Sequence, residues 1–131
     1  QFPMILPYTI GISPSLRIRG MIASARIRKG EIIEACPVIL LPIAELPLIQ
    51  RTILGNYYFD WSKTAIAIVL GYGSLINHSY TPNAAYRWDF RGKKLVFYSL
   101  RDIKKGEEVV VNYNGEPDDR TPLPPAWVNG S

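Results

Sequence analysis

The chain has a single cysteine, Cys36, and a single histidine, His78, among its 131 residues. No disulfide can close within it, and no zinc site of the Cys/His type can be assembled. A reducing, intracellular compartment is the expectation: cytoplasmic, or nuclear if the source is eukaryotic or viral. Long apolar runs are missing as well. The two longest, around Val38 to Ile43 and Ala65 to Leu70, fall far short of the roughly 20 residues that span a bilayer, so a soluble protein without membrane contact is expected. No secretory leader is visible, although the chain opens at Gln1. Long helices are excluded over most of the sequence by 11 prolines and 10 glycines. What is present, 47% hydrophobic residues, suits one domain with its own core and leaves no room for two.

Between the prolines and glycines recur short Val/Ile/Tyr-rich runs, so the fold class is mostly β. Residues 1 to 14, with Pro3, Pro7 and Pro14, read as an extended arm or edge strand. Met21 to Ile27 and Glu31 to Leu41 read as strands around an Arg28-Lys29-Gly30 turn. One helix is expected near Pro47, with Leu48, Ile49, Thr52 and Ile53 as an apolar stripe and Gly55 as its stop. Strands resume at Asn56 to Asp60 and Ala65 to Leu70. Ala85 to Phe90 and Leu95 to Leu100 form a hairpin whose Gly92 is expected to supply the positive φ. A last strand covers Val109 to Tyr113, and the Pro- and Asp-rich tail reads as a loop with Trp127 as an aromatic anchor. One internal echo, Ile27-Arg28-Lys29-Gly30-Glu31 against Ile103-Lys104-Lys105-Gly106-Glu107, predicts the same glycine turn used twice.

The net charge is +4, and Arg17, Arg19, Arg26, Arg28 and Lys29 all precede the first acidic residue, Glu31. Such a cluster can attract nucleic acid. Its alternation with Ile18, Gly20 and Ile27 is that of a solvated strand face, so direct nucleic-acid binding is not expected. The segment Gly71 to Asn83 concentrates glycines, amides, hydroxyls and the sole histidine. Gly71-x-Gly73 lacks the third glycine of a dinucleotide fingerprint. Asn77-His78-Ser79 is a formal glycosylation sequon only. A Ser79 nucleophile with His78 as its base fails because adjacent strand residues point to opposite faces. Taken alone, His78 reads as a hydrogen-bonded structural histidine.

Taken together, these residues resemble a family. Asn77-His78-Ser79-x-x-Pro82-Asn83, then Ile103-x-x-Gly106-Glu107-Glu108-Val109-x-x-x-Tyr113, is similar to the paired C-terminal signature of the SET-domain lysine methyltransferases. Arg19-Gly20-Met21-Ile22-Ala23, the Lys29-Gly30-Glu31 strand entry and Tyr57-Tyr58-Phe59-Asp60 resemble the family's upstream motifs in the same order. The resemblance implies a β-clip fold of several small sheets, one short helix and a C-terminal pseudoknot, over residues 1–113, with the tail 114–131 closing the cofactor site. It implies S-adenosylmethionine as cofactor and transfer of methyl groups to the ε-amine of lysine in a protein or peptide, a histone or another basic protein among the options. By the same resemblance, Asn77 and the backbone of His78 hold the cofactor's amino acid portion and the Arg19-Gly20-Met21 backbone closes over it. Tyr113 is the implied catalytic tyrosine and Tyr57 lines the lysine channel.

Trp127 can stack on the adenine or plug the core edge, and both readings stand. The sequence departs from the family pattern in several places. Ile18 replaces a glycine and Asn112 an acidic residue; Tyr80 stands where many members carry a zinc-binding cysteine and the downstream cysteines are missing, which implies a metal-free type. A catalytically weak or inactive SET-fold interaction module is the alternative. In so small a chain, a homodimer is one way to complete the substrate cleft.

Overall fold

The computed structural model describes residues 5–128. Among the described residues nine strands form two sheets. The first sheet has the order β1-β2-β9-β6, from β1 (Tyr8–Ile12), β2 (Arg19–Ala23), β9 (Glu108–Val111) and β6 (Asn77–His78). The second has the order β4-β5-β3-β8-β7, from β4 (Phe59–Asp60), β5 (Ala65–Val69), β3 (Ile32–Pro42), β8 (Lys94–Ser99) and β7 (Ala84–Asp89). The long β3 pairs with β8 through Ile32 to Pro37 and with β5 through Val38 to Pro42, with a register shift between Ile32 and Glu34. A bulge of this kind bends a strand locally, and here it lies within the half paired with β8. Met21, Ile27, Leu95, Phe97, Ile103, Val109 and Val111 are wholly buried and join the two sheets into one core.

The echoed segments are the same turn, and they meet. Ile27 and Ile103 form an antiparallel bridge, each N–H donating to the other's carbonyl at 2.9 and 2.8 Å. Gly30 and Gly106 both take a left-handed φ, +82° and +92°, which only glycine adopts freely. The amides of Glu31 and Glu107 close the two turns on Arg28 O and Lys104 O, both at 3.0 Å. The five basic residues from Arg17 to Lys29 are all exposed, as a solvated face requires.

Several local expectations are corrected. Residues 21–27 and 31–41 do not pair, because β2 bonds to β1 and β9 while β3 lies in the other sheet. Of the expected strand 21–27, only the stretch to Ala23 is β2; Ile27 contributes an isolated bridge. The expected helix shrinks to α1 (Leu46–Ile49), with 3-10 turns at Ile43–Glu45 and Ile53–Asn56. Its apolar stripe is not buried, since Leu48 and Ile53 are 61% and 66% exposed. Gly55 lies inside the second turn, which Thr52 caps by accepting from Leu54 N. In the β7–β8 hairpin the left-handed residue is Lys93 (φ 52°). Gly92 is needed for space instead, because a Cβ there would lie 2.3 Å from Asp89 Oδ2. A second helix, α2 (Pro125–Val128), ends the tail where only loop was expected.

Candidate functional site

Strand β9 organises the site. On one edge it pairs antiparallel with β2, and on the other it runs parallel to β6, with Asn77 opposite Val110 and His78 opposite Val111. Asn83 clamps it further: its Nδ2 donates to Glu108 O at 2.8 Å and its Oδ1 accepts from Val110 N at 2.9 Å. A buried primary amide that donates to one peptide group and accepts from another acts as a further strand residue, satisfying backbone groups that would otherwise be stranded. Residues 77–83 thus hold β9 both by strand pairing and by the Asn83 amide.

At the other end of β6, the Asn77 Nδ2 donates to Arg19 O at 3.0 Å and to Glu108 Oε2 at 2.7 Å. Glu108 also accepts from the Ser13 hydroxyl at 2.5 Å. Gly20 closes this knot by having no side chain, since a Cβ would lie 2.6 Å from Glu108 Oε2 and 2.8 Å from Asn77 Nδ2. Ile18, which stands where the family has a glycine, takes no left-handed φ. The left-handed position is Arg17 (φ 59°).

Tyr113 is fixed at two points. Its backbone N–H donates to His78 Nδ1 at 3.0 Å, and its hydroxyl donates to Ile76 O at 2.6 Å. Because Nδ1 accepts, the neutral ring of His78 carries its proton on Nε2. That buried Nε2 has no hydrogen-bond partner among the described residues. The ring instead stands edge-to-face with Tyr80, centroids 4.4 Å apart at 87°. Burial lowers the His78 pKa, which keeps the ring neutral. Burial, then the neighbouring Tyr57, Tyr86 and Glu108, raises the Tyr113 phenol well above its ordinary range, so it stays a hydroxyl. Cys36, by contrast, is buried against Glu34 and pushed up to about 12, an unreactive thiol.

Two cavities adjoin at Tyr113. The first, about 450 Å³, is lined by Ile12, Arg17, Ile18, Arg19, Leu75 and Asn77 on its own side. The second, about 260 Å³, is lined by Tyr58, Phe59, Asp60, Tyr86, Trp88 and Asn114 on its own side. Their shared wall is Asn56, Tyr57, Ser74, Tyr113 and Trp127. Trp127 reaches that wall from α2 and packs edge-on to Tyr58, with ring centroids 5.7 Å apart at 89°. Five of the expected residues, Arg19, Asn77, Tyr57, Tyr113 and Trp127, therefore converge. Gly20 backs the knot behind them. Met21 is wholly buried in the core, and the His78 ring lies behind Tyr113, beside a separate groove.

Arg17, Asn83, Glu108 and the carbonyl of Ile76 were not assigned from sequence. Asn83 and Glu108 carried a signal, as polar residues inside otherwise buried motifs. Arg17 carried none, since a left-handed φ cannot be seen in a lone arginine. Among the described residues no group of three or more His, Cys, Asp or Glu is placed to hold a metal ion, and no helix is long and apolar enough to cross a membrane.

The chain is 34% identical over 96 residues to the fission yeast Schizosaccharomyces pombe protein named histone-lysine N-methyltransferase, H3 lysine-37 specific, a match covering 72% of this chain. The chain spans 65% of the length of that relative. Its fold matches the crystal structure of a Plasmodium falciparum protein provisionally named a histone methyltransferase. That match has a TM-score of 0.70 and 30% identity, over 84% of this chain and 95% of that one. The sequence pattern of the SET domain matches residues 18–114, which takes in both strands of the knot and Tyr113, so the chain belongs to the SET domain family.

Proposed function

We propose that this chain transfers methyl groups from S-adenosylmethionine to the ε-amine of lysine in a protein substrate. The observation that carries the reading is the pair of adjoining cavities, one polar and basic, one aromatic, with Tyr113 in the wall between them. A reaction between a soluble methyl donor and a lysine side chain needs two such sites meeting at one point. The names of the two relatives support the same activity.

The residues of the larger cavity fit the donor chemically. Both Nδ2 hydrogens of Asn77 are committed to Arg19 O and Glu108, so its amide meets a ligand only through Oδ1, an acceptor suited to an α-ammonium. The exposed guanidiniums of Arg17 and Arg19 suit an α-carboxylate, and the indole of Trp127 offers stacking area to a purine. Bound there, S-adenosylmethionine supplies an activated methyl group on a positively charged sulfur.

The protein's own part is binding, orientation and exclusion of water. Aromatic rings of the smaller cavity can receive a lysine ammonium face-on, with the Asp60 carboxylate in its wall attracting the charge. A free lysine has a pKa near 10.4, and reaction needs the neutral amine, so desolvation among Tyr57, Tyr86 and Trp127 lowers that pKa. Tyr113 holds its proton and donates it to Ile76 O. Its oxygen lone pairs then orient the amine, and it takes no proton itself.

Incubation with labelled S-adenosylmethionine and a panel of proteins that includes histones, read by mass spectrometry of modified lysines, tests the reading. Wild type should label lysine, and Tyr113→Phe should lose roughly 100- to 1000-fold in rate while keeping its fold and its affinity for S-adenosylhomocysteine. A Tyr113→Phe variant as active as wild type would remove Tyr113 from the mechanism. A wild type that binds S-adenosylhomocysteine yet labels nothing in the panel would favour the interaction-module alternative.

A further inference from the structure

The described residues of the tail after Tyr113 have no strand partner, yet they deliver Trp127 to the wall shared by both cavities. Three side chains hold it. The buried Asn112 donates through Nδ2 to Asp119 O at 2.6 Å and to Pro117 O at 3.4 Å, while its Oδ1 accepts from Asn114 N at 3.0 Å. Asn114 donates through Nδ2 to Thr121 O at 2.9 Å and to Asp119 O at 3.3 Å. The hydroxyl of Tyr80 donates to Thr121 O at 3.1 Å. Alternate carbonyls of the tail, Pro117, Asp119 and Thr121, are thus each gripped from the body of the domain. Asp119 Oδ1 shapes the end of this stretch by accepting from Thr121 N at 2.9 Å and Thr121 Oγ1 at 2.6 Å.

We propose that Asn112 and Asn114, assisted by Tyr80, are positioning residues: an amide latch that orders residues 115–121 and thereby sets Trp127 between the two cavities. The chemistry dictates the residue types. Every grip on the tail is a donor meeting a carbonyl, so an acid at 112 or 114 would turn a carboxylate oxygen toward carbonyl oxygens and push the tail away. This accounts for an amide at Asn112. Tyr80 contributes at both ends, since its ring packs on His78 and its hydroxyl holds Thr121. Pro122, Pro124 and Pro125 stiffen the segment between Thr121 and Trp127, so fixing the first goes far toward fixing the second. The inference rests on the methyltransferase reading only where it treats the larger cavity as the site of S-adenosylmethionine.

The latch has a reporter at its centre. Arg120 is exposed and lies between the gripped carbonyls of Asp119 and Thr121, and trypsin cuts after it only when this stretch opens. Three measurements are made on wild type, Asn114→Asp and Tyr80→Phe, with Asp118→Asn as a surface-charge control: release of the fragment beginning at Thr121, the fluorine resonance of 5-fluorotryptophan at position 127, and calorimetric affinity for S-adenosylhomocysteine. Asn114→Asp should release the fragment about tenfold faster, shift the Trp127 signal and weaken S-adenosylhomocysteine about fivefold or more, with Tyr80→Phe in the same direction and smaller. The melting temperature of the ligand-free protein should match that of the control. Both variants sit at partly exposed positions, which protects the test from simple unfolding. Unchanged cleavage and an unmoved Trp127 signal in Asn114→Asp would overturn the latch. Faster cleavage with Trp127 and affinity unchanged would overturn its positioning role. If wild type binds no S-adenosylhomocysteine, the cofactor reading fails by itself, and cleavage with the fluorine signal still judges the latch.

Discussion

Two parts of this molecule are held by asparagine amides, and they are held to different ends. At the knot, Asn83 offers both a donor and an acceptor to β9, so it replaces a missing strand between elements that are otherwise wholly packed. In the tail, Asn112 and Asn114 offer donors to carbonyls of a chain with no repeating structure, at the rim of two cavities. Removing a buried group that completes a sheet costs stability, because water cannot replace it. A donor on a partly exposed carbonyl is replaceable by water, so its loss changes where the chain lies more than whether the domain folds. On the proposed reading, the knot carries the fold and the tail carries the arrangement of the site.

The sharpest way to break that contrast is Asn83→Ala, which leaves two backbone groups of β9 without partners. It should cost about 3 kcal/mol in urea denaturation and lower all activity with it. A loss no larger than that of Asn114→Asp would mean that the two regions do not differ as described.

Next in size is Asn77→Ala, which sits on the boundary between knot and cavity. It should weaken S-adenosylhomocysteine about tenfold by calorimetry while lowering stability less than Asn83→Ala does. Gly20→Ala should act in the same direction, since its Cβ displaces the Asn77 amide and the Glu108 carboxylate. Unaltered affinity in both would move the cofactor site elsewhere.

The smallest effect is that of pH on His78. Its folded pKa lies below the ordinary 6.5, so the unfolded chain takes up the proton first as pH falls. Stability should be full above that value, decline as pH drops from it through the depressed folded pKa, and then level off for this group. Protonation would also cost Tyr113 N–H its acceptor. His78→Gln should flatten that part of the stability profile in denaturation series run between neutral and mildly acidic pH.

The strands and the repeated turn were legible because their signals are local; the residues gathered at Tyr113 were singled out through the resemblance to SET-domain motifs. Gly30 and Gly106 announce a left-handed turn, and alternating Val and Ile announce strands wherever they fall. Partner choice was not legible. The apparent hairpin of residues 21–27 and 31–41 splits between two sheets, and nothing in either run distinguishes a neighbour in sequence from one brought in later. The apolar stripe at Leu48 and Ile53 misled for the same reason: helical spacing shows that a face exists, not that anything covers it.

Of this protein's design, the order of its motifs, the presence of only one cysteine and one histidine, and the amide and hydroxyl chemistry around residue 77 were written in the sequence. Tertiary structure alone decided that Arg17 takes the strained turn, that Glu108 ties Ser13 to Asn77, and that Trp127 stands in a wall common to two cavities. Each of these joins residues far apart in the chain, or a backbone angle set by such joins. Composition and periodicity report what a segment prefers, whereas contacts of that range depend on which preferences can be satisfied together in one packed core.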